Sequence, residues 1–152
     1  MTAMELCFTT LADAARRIAG HELSPVELTE AYLQRIGEFD DQLQSFVTLT
    51  ADVAVRQAAA AEVEIMRKGP RSPLHGIPYC LKDIVETAGI RTTGQSKLLA
   101  DHVPSQDAVV AAKLQATGAN DRNKSSRTTP WTQKLMAPLF CRSIGSESLT
   151  LH

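Results

Sequence analysis

Residues 73–94 read PLHGIPYCLKDIVETAGIRTTG, a short apolar segment hemmed in by glycines and prolines. Ile77 to Lys82 is a short apolar run with Gly76 before it and the Gly89 and Gly94 turns after it, which predicts a strand ending in a lysine. Alternation puts Ile77, Tyr79 and Leu81 on one face and Pro78, Cys80 and Lys82 on the other. A lysine at a strand end is most often a solvated edge residue that discourages pairing between chains. Two features mark this one out. The glycines permit backbone conformations that other residues resist. The run Thr92-Thr93-Gly94-Gln95-Ser96 sets small hydroxyl groups in a loop after the strand, where ligand sites are often built.

Working outward, helices alternate with strands. Thr10 to Ala19 predicts a helix with Leu11, Ala14, Ala15 and Ile18 on one face and Gly20 as its stop. Ser24-Pro25-Val26-Glu27 signals a second helix start: a capping serine, a first-turn proline and a capping-box glutamate. That helix carries Leu28, Tyr32, Leu33, Ile36 and Phe39 on one stripe, and Asp40-Asp41 is its expected end. Ser45 to Leu49 predicts a strand, and Thr50 caps an alanine-rich helix over 51–67 that Gly69-Pro70 closes. Ile90 to Thr92 predicts a brief third strand. Pro104 to Asp107 opens a fourth helix that runs to about Thr117, with Gly118 as its stop. This alternation gives an α/β class.

After Ala119 the texture changes. Residues 1–118 hold 11 Lys/Arg and 15 Asp/Glu, whereas 119–152 hold 5 and 2, with nine Ser or Thr. Neither helical nor strand periodicity is legible over 120–152. A buried strand would ordinarily follow a helix that stops at Gly-Ala, and no apolar strand is found there. The expectation is an irregular, basic, disordered tail.

Bulk properties exclude several classes. The 152 residues fit one domain, 43% hydrophobic and 22% charged, as in ordinary globular proteins. A net charge of -1 gives no reason to expect nucleic acid or an acidic membrane as partner. No apolar run approaches a membrane span, and the N-terminus lacks a secretory pattern. Cys7, Cys80 and Cys141 are odd in number and dispersed, which suggests reduced thiols in the cytoplasm. Cys80 beside the lysine reads as a small buried residue. His21, His75, His102 and His152 are scattered, so no metal site is expected.

Pro73-Leu74-His75-Gly76-Ile77-Pro78, then Lys82-Asp83 and Thr87 to Gly94, resembles the lysine segment of the amidase signature family. Leu23 to Leu28 and the helix Asp107 to Ala119 continue the likeness, which covers roughly residues 8–119. The resemblance implies the N-terminal part of an α/β/α fold around a mixed sheet, and hydrolysis of a small-molecule carboxamide or transfer of its ammonia, without metal or organic cofactor. Family members use a serine nucleophile, a second serine in a cis peptide and a lysine. An amine serves as base only while neutral, and burial favours that form. By motif position Lys82 corresponds to the catalytic lysine. Asp83 corresponds to an adjacent acid that holds nearby backbone and loop groups. Thr92, Thr93 and Ser96 are the implied substrate-binding residues.

The resemblance also shows what is not here. The family's serines lie in a Gly-Gly-Ser-Ser-Gly-Gly type of stretch, and the sequence has none. Ile144-Gly145-Ser146-Glu147-Ser148 lacks the flanking glycines. The expectation is an amidase-family chain inactive alone, with residues 120–152 arising from another reading frame or an aberrant junction. Its sheet is expected to be incomplete, with apolar surface left uncovered. The alternatives are part of the A subunit of a tRNA-dependent amidotransferase, although the 83–94 wording sits closer to a stand-alone amidase, or a non-catalytic remnant or small binding module. The sequence sets no oligomeric state.

Overall fold

The structure is a computed structural model that describes residues 2–125. A five-residue helix, α1 (Ala3–Cys7), opens the chain. Thr2 and Glu5 form its reciprocal capping box, Glu5 N donating to Thr2 Oγ1 and Thr2 N to the Glu5 carboxylate. Sequence reading passes over this helix because one turn shows no period. Helix α2 (Leu11–Ala19) follows as expected, with Thr10 as its cap. Helix α3 (Pro25–Leu43) starts at Ser24, whose Oγ accepts from Val26 N and Glu27 N. Glu27 does not complete a capping box there.

Helix α3 also runs past Asp40-Asp41. Asp40 reaches forward instead, its carboxylate accepting from Ser45 N at 2.7 Å and Phe46 N at 3.2 Å, and Gln44 ends the helix in a left-handed conformation. Those bonds set the start of strand β1 (Phe46–Thr48). Helix α4 (Ala51–Lys68) then returns, with Gly69 at its end. Thr50 stands at its start without a side-chain capping bond.

Strand β2 (Pro78–Lys82) is the predicted lysine strand. The third strand expected at Ile90 to Thr92 does not form. Thr87 and Ile90 make an isolated bridge, and Thr92 N donates to His102 O at 2.9 Å. Helix α5 (Val109–Ala116) starts later than expected. Asp107 lies outside it, and its carboxylate accepts from Ala88 N at 2.7 Å.

The largest correction follows α5. Residues Asn120–Ser125 form strand β3, where an irregular tail was expected; residues 126–152 lie outside the described residues. Strand β3 is central in the order β1-β3-β2, antiparallel to β1 and parallel to β2. Asn, Asp, Lys and Ser are poor strand formers, but the slot between two strands offers main-chain partners on both edges, and context overrides propensity. Strand β2, helix α5 and strand β3 together make a βαβ unit, the usual way to set two strands parallel.

Helix α4 packs on β3, α3 packs on α4 and touches β2, and α1 packs on α3. The core lies among these helices and the start of β2. Leu6, Ile18, Leu28, Tyr32, Ile65 and Ile77 are its large members, all buried. Full burial of such side chains contributes about 1.5–3 kcal/mol each. Cys7 is also buried, donates to Ala31 O and has its thiol pKa raised chiefly by burial. By contrast, Ile84, Leu98, Leu99 and Val103 are exposed on the segment between β2 and α5, and Val109 and Val110 are exposed on the first turn of α5. Among the described residues no helix is long and apolar enough to cross a membrane.

Candidate active site

The lysine is set by what comes before and after β2. Gly76 turns the chain into the strand at φ 81°. A Cβ there would lie 2.8 Å from Pro25 Cγ, so only glycine lets the strand start against α3. Ile77, just before β2, and Pro78 and Leu81 within it are buried, whereas Tyr79, Cys80 and Lys82 are half-buried, so burial does not follow the alternation expected from the sequence. Cys80 is therefore less enclosed than the sequence suggests. Among the described residues the Lys82 amine has no hydrogen-bond or ion-pair partner. Its Cα pairs with that of Ser125 across to β3.

Directly after the lysine, the chain is pinned. Val85 N donates to Lys82 O at 2.9 Å, which makes a turn. Asp83 is 1% exposed, and its carboxylate accepts from Thr93 N at 3.1 and 3.2 Å and from Thr93 Oγ1 at 2.5 Å. Gly94 N donates to Asp83 O at 3.0 Å. A buried carboxylate needs donors, and one threonine supplies both. The structure thus gives Asp83 the holding role expected of it.

The hydroxyl loop is brought to the strand end, as the sequence suggests, but its hydroxyls are differently occupied. Thr93 Oγ1 donates to Asp83 and accepts from Gln95 N, and Thr92 Oγ1 donates to Ile90 O at 3.1 Å. Both threonines are buried. Ser96 is half-buried, and its Oγ accepts from Leu98 N at the start of the turn Lys97–Leu99. Of the three, Ser96 alone keeps its O–H proton without an acceptor among the described residues.

Further bonds stitch this loop to the approach to α5. Gly89 N donates to Pro104 O and Ala108 N to Glu86 O, each at 2.9 Å. The Ile144 to Ser148 stretch lies outside the described residues. Two clefts of about 260 Å³ open elsewhere, one beside His21 and Glu62, the other beside Met4 and Arg35, and neither is lined by a candidate site residue. Among the described residues no group of three His, Cys, Asp or Glu could hold a metal ion.

Sequence reading misses His75, which looks like one more scattered histidine. The residue is 1% exposed at the foot of β2, with its ring against Gly118. A histidine followed by glycine, two residues before a strand, is the only available signal.

Comparison with known proteins matches this geometry. A family model described as Amidase matches residues 27–121, which includes β2, the loop and α5. A glutamyl-tRNA(Gln) amidotransferase from Roseiflexus sp. (strain RS-1) has an A subunit that is 44% identical over 110 residues, 72% of this chain and 22% of that relative. The native peptide amidase of Stenotrophomonas maltophilia superposes with a TM-score of 0.72 at 34% identity, over 81% of this chain and 25% of that one. An amidase family protein from Bacillus anthracis str. Ames gives 0.73 at 31% identity, over 81% and 25%. The chain spans about a quarter of the length of the relatives it matches. With the lysine strand, its pinned aspartate and the following helix all inside the matched span, the chain belongs to the amidase family.

Proposed function

We propose that residues 2–125 are the lysine-bearing part of an amidase-fold catalytic domain, which breaks the C–N bond of a small carboxamide. One observation carries this reading: Lys82 stands half-buried at the end of β2, and the next residue is locked to the hydroxyl loop. In this reading a hydroxyl attacks the carboxamide carbon and its proton passes to the neutral Lys82 amine. The resulting ammonium returns that proton to the leaving nitrogen as the C–N bond breaks. Ammonia departs, and water then hydrolyses the ester to a carboxylate. Asp83 holds the loop, and Thr92, Thr93 and Ser96 line the approach to the amine. The chemistry needs no metal, and the odd, dispersed cysteines suit a cytoplasmic setting.

A grafted enzyme tests the lysine. Residues 27–119 would replace the matching segment of the Stenotrophomonas peptide amidase. Ammonia release is expected to survive the graft and to fall about 10²–10⁴-fold with Lys82→Ala. Lys82→Arg should be as poor, since arginine stays charged. Turnover untouched by Lys82→Ala would refute the assignment. The 152-residue chain itself is expected to release no ammonia from simple amides, because it lacks the Gly/Ser-rich serine stretch. Activity lost on Ser125→Ala would show that β3 supplies the hydroxyl instead.

A second reading has its own support. The curated relatives are amidotransferase A subunits, in which ammonia would pass to another acceptor rather than escape. Stable co-purification with partner subunits would favour it, and a monomer with full amidase activity after grafting would favour the stand-alone enzyme.

A further inference from the structure

The foot of the β2–β3 pair is closed by a set of contacts centred on a buried histidine. Ser72 Oγ donates to Thr117 O at 2.8 Å, and Gly76 N donates to Gly118 O at 2.9 Å. Between these bonds the His75 ring lies against Gly118. A Cβ added there would fall 2.3 Å from His75 Cδ2 and 2.8 Å from Cγ, and Gly118 has φ 84°. Two residues beyond each side of this junction, Pro78 and Asn120 make the first pairing of the parallel strands. Lys82 is four residues further along, about 13 Å at the rise of a strand.

The imidazole's protonation state is fixed by its neighbours. Its Nδ1 accepts from Arg71 N at 3.0 Å, so that nitrogen carries no proton and Nε2 carries the single one. Nε2 is buried without a hydrogen-bond partner among the described residues, and the Glu64 carboxylate lies 3.8 Å away. The charged groups facing the ring are that carboxylate, from α4, and the Arg71 guanidinium of its own turn. They pair with each other at 2.8 Å, so Glu64 is already neutralised. From the α5 end Gly118 meets the ring. A second proton would have to sit on Nδ1, facing the Arg71 N–H donor to donor.

We propose that His75 is a positioning residue for Lys82: a neutral imidazole latch that fixes where β2 meets the α5–β3 turn, and that protonation opens. This rests on Lys82 being the working amine, but the latch can be read without any activity. Burial, followed by the Arg71 guanidinium, pushes the His75 pKa below the ordinary value of 6.5. Latch strength is therefore full above about pH 6.5 and drains as the pH falls through that value toward the folded-state pKa, since the opened chain binds the proton first.

The test follows amide exchange by NMR in the full chain. The Gly76 N–H, which bonds Gly118 O, is expected to be protected near neutral pH. Its protection factor should fall by up to about tenfold between roughly pH 7.5 and 5.5, the ceiling set by a pH one unit under the free imidazole value. In His75→Asn the amide oxygen can replace Nδ1 as acceptor but does not titrate, so protection should hold flat across that range. An equal fall in both proteins, or no protection at neutral pH, would overturn the latch. Should His75→Asn fail to fold, the ring nitrogens of the unaltered chain decide. Nδ1 should show an acceptor signal at neutral pH, and Gly76 should shift with the His75 titration; a protonated Nδ1 at neutral pH, or a Gly76 that ignores the titration, refutes it. In the grafted enzyme, Lys82→Ala would lower turnover about 10²–10⁴-fold and leave the Gly76 protection unchanged, so a failed latch and a failed lysine assignment give different results.

Discussion

Removing the Asp83 carboxylate is the most direct way to ask whether the loop beside Lys82 is held as the structure shows. Asp83→Ala takes the acceptor from two buried donors, Thr93 N–H and Thr93 O–H. Asp83 is 1% exposed and Thr93 8%, so water does not readily replace it. Each hydrogen bond to a charged group contributes about 1.5–3 kcal/mol, and a stranded buried donor costs about as much, so the expected loss is about 3–5 kcal/mol. Asp83→Asn should lose about half of that, since its amide offers one oxygen but turns N–H groups toward the other donor. Thr93→Val removes both bonds of the hydroxyl, the one it donates to Asp83 and the one it accepts from Gln95 N, at nearly constant shape and should lose about 2–3 kcal/mol. Urea unfolding of the full chain followed by circular dichroism gives these values. In the Asp83→Ala, Thr93→Val cycle the two should couple by about 1–2 kcal/mol, because with the carboxylate gone the second change breaks only the bond from Gln95 N. Single variants within about 0.5 kcal/mol of the unaltered chain, and additive in combination, would mean that the carboxylate is solvated and the loop is held by something else.

Three further predictions use the same urea measurement. Gly37→Ala lies in the interior of α3, where an added Cβ meets nothing within 4 Å, so it should stabilise by about 0.5–1 kcal/mol; a loss would mean the helix is not formed there. Gly76→Ala combines a φ of 81° with a Cβ 2.8 Å from Pro25 Cγ and should destabilise by about 2 kcal/mol or more, whereas a neutral result would reject the close approach of β2 to α3. Gly118→Ala combines a φ of 84° with a Cβ 2.3 Å from His75 Cδ2 and should destabilise by about 2 kcal/mol or more. A neutral result would reject the seating of the His75 ring against that turn.

What is legible in the sequence is whatever rests on local chemistry. Ser24 and Pro25 start a helix because a hydroxyl and a fixed φ serve the first turn, and both signals are contained in adjacent letters. Ile77 to Lys82 is a short apolar run, and the strand is there from Pro78, though its burial does not alternate. Asp40 misleads, since its carboxylate serves Ser45 and Phe46 rather than ending α3, and nothing in Asp40-Asp41 tells which way the side chain turns. Thr92 and Thr93 do return to the end of the lysine strand. Their hydroxyls, though, are committed to Ile90 and Asp83, a choice made by a tertiary fold that brings residue 93 back to residue 83. Asp107 reads as a helix opener, and it instead holds Ala88, nineteen residues away.

Strand β3 is illegible for a different reason. Its own letters, NDRNKS, carry almost no strand signal, and no local rule finds it. What positions it lies elsewhere: in Ser72 and Gly76, which donate to the Thr117 and Gly118 carbonyls, and in Gly118, whose missing Cβ leaves room for the His75 ring. Once those contacts set the exit from α5, the chain enters beside β2, and main-chain pairing on both edges can carry even a polar segment for six residues. The arrangement has a consequence for the lysine. A strand whose sequence is NDRNKS, without an apolar residue, resists slippage poorly, because register is normally enforced by the cost of moving apolar groups off a buried face. The β2–β3 register, and with it the neighbour presented to Lys82, then depends on the junction at the strands' foot. That dependence is why a change at His75 or Gly118, far along the strand, should be felt at the amine.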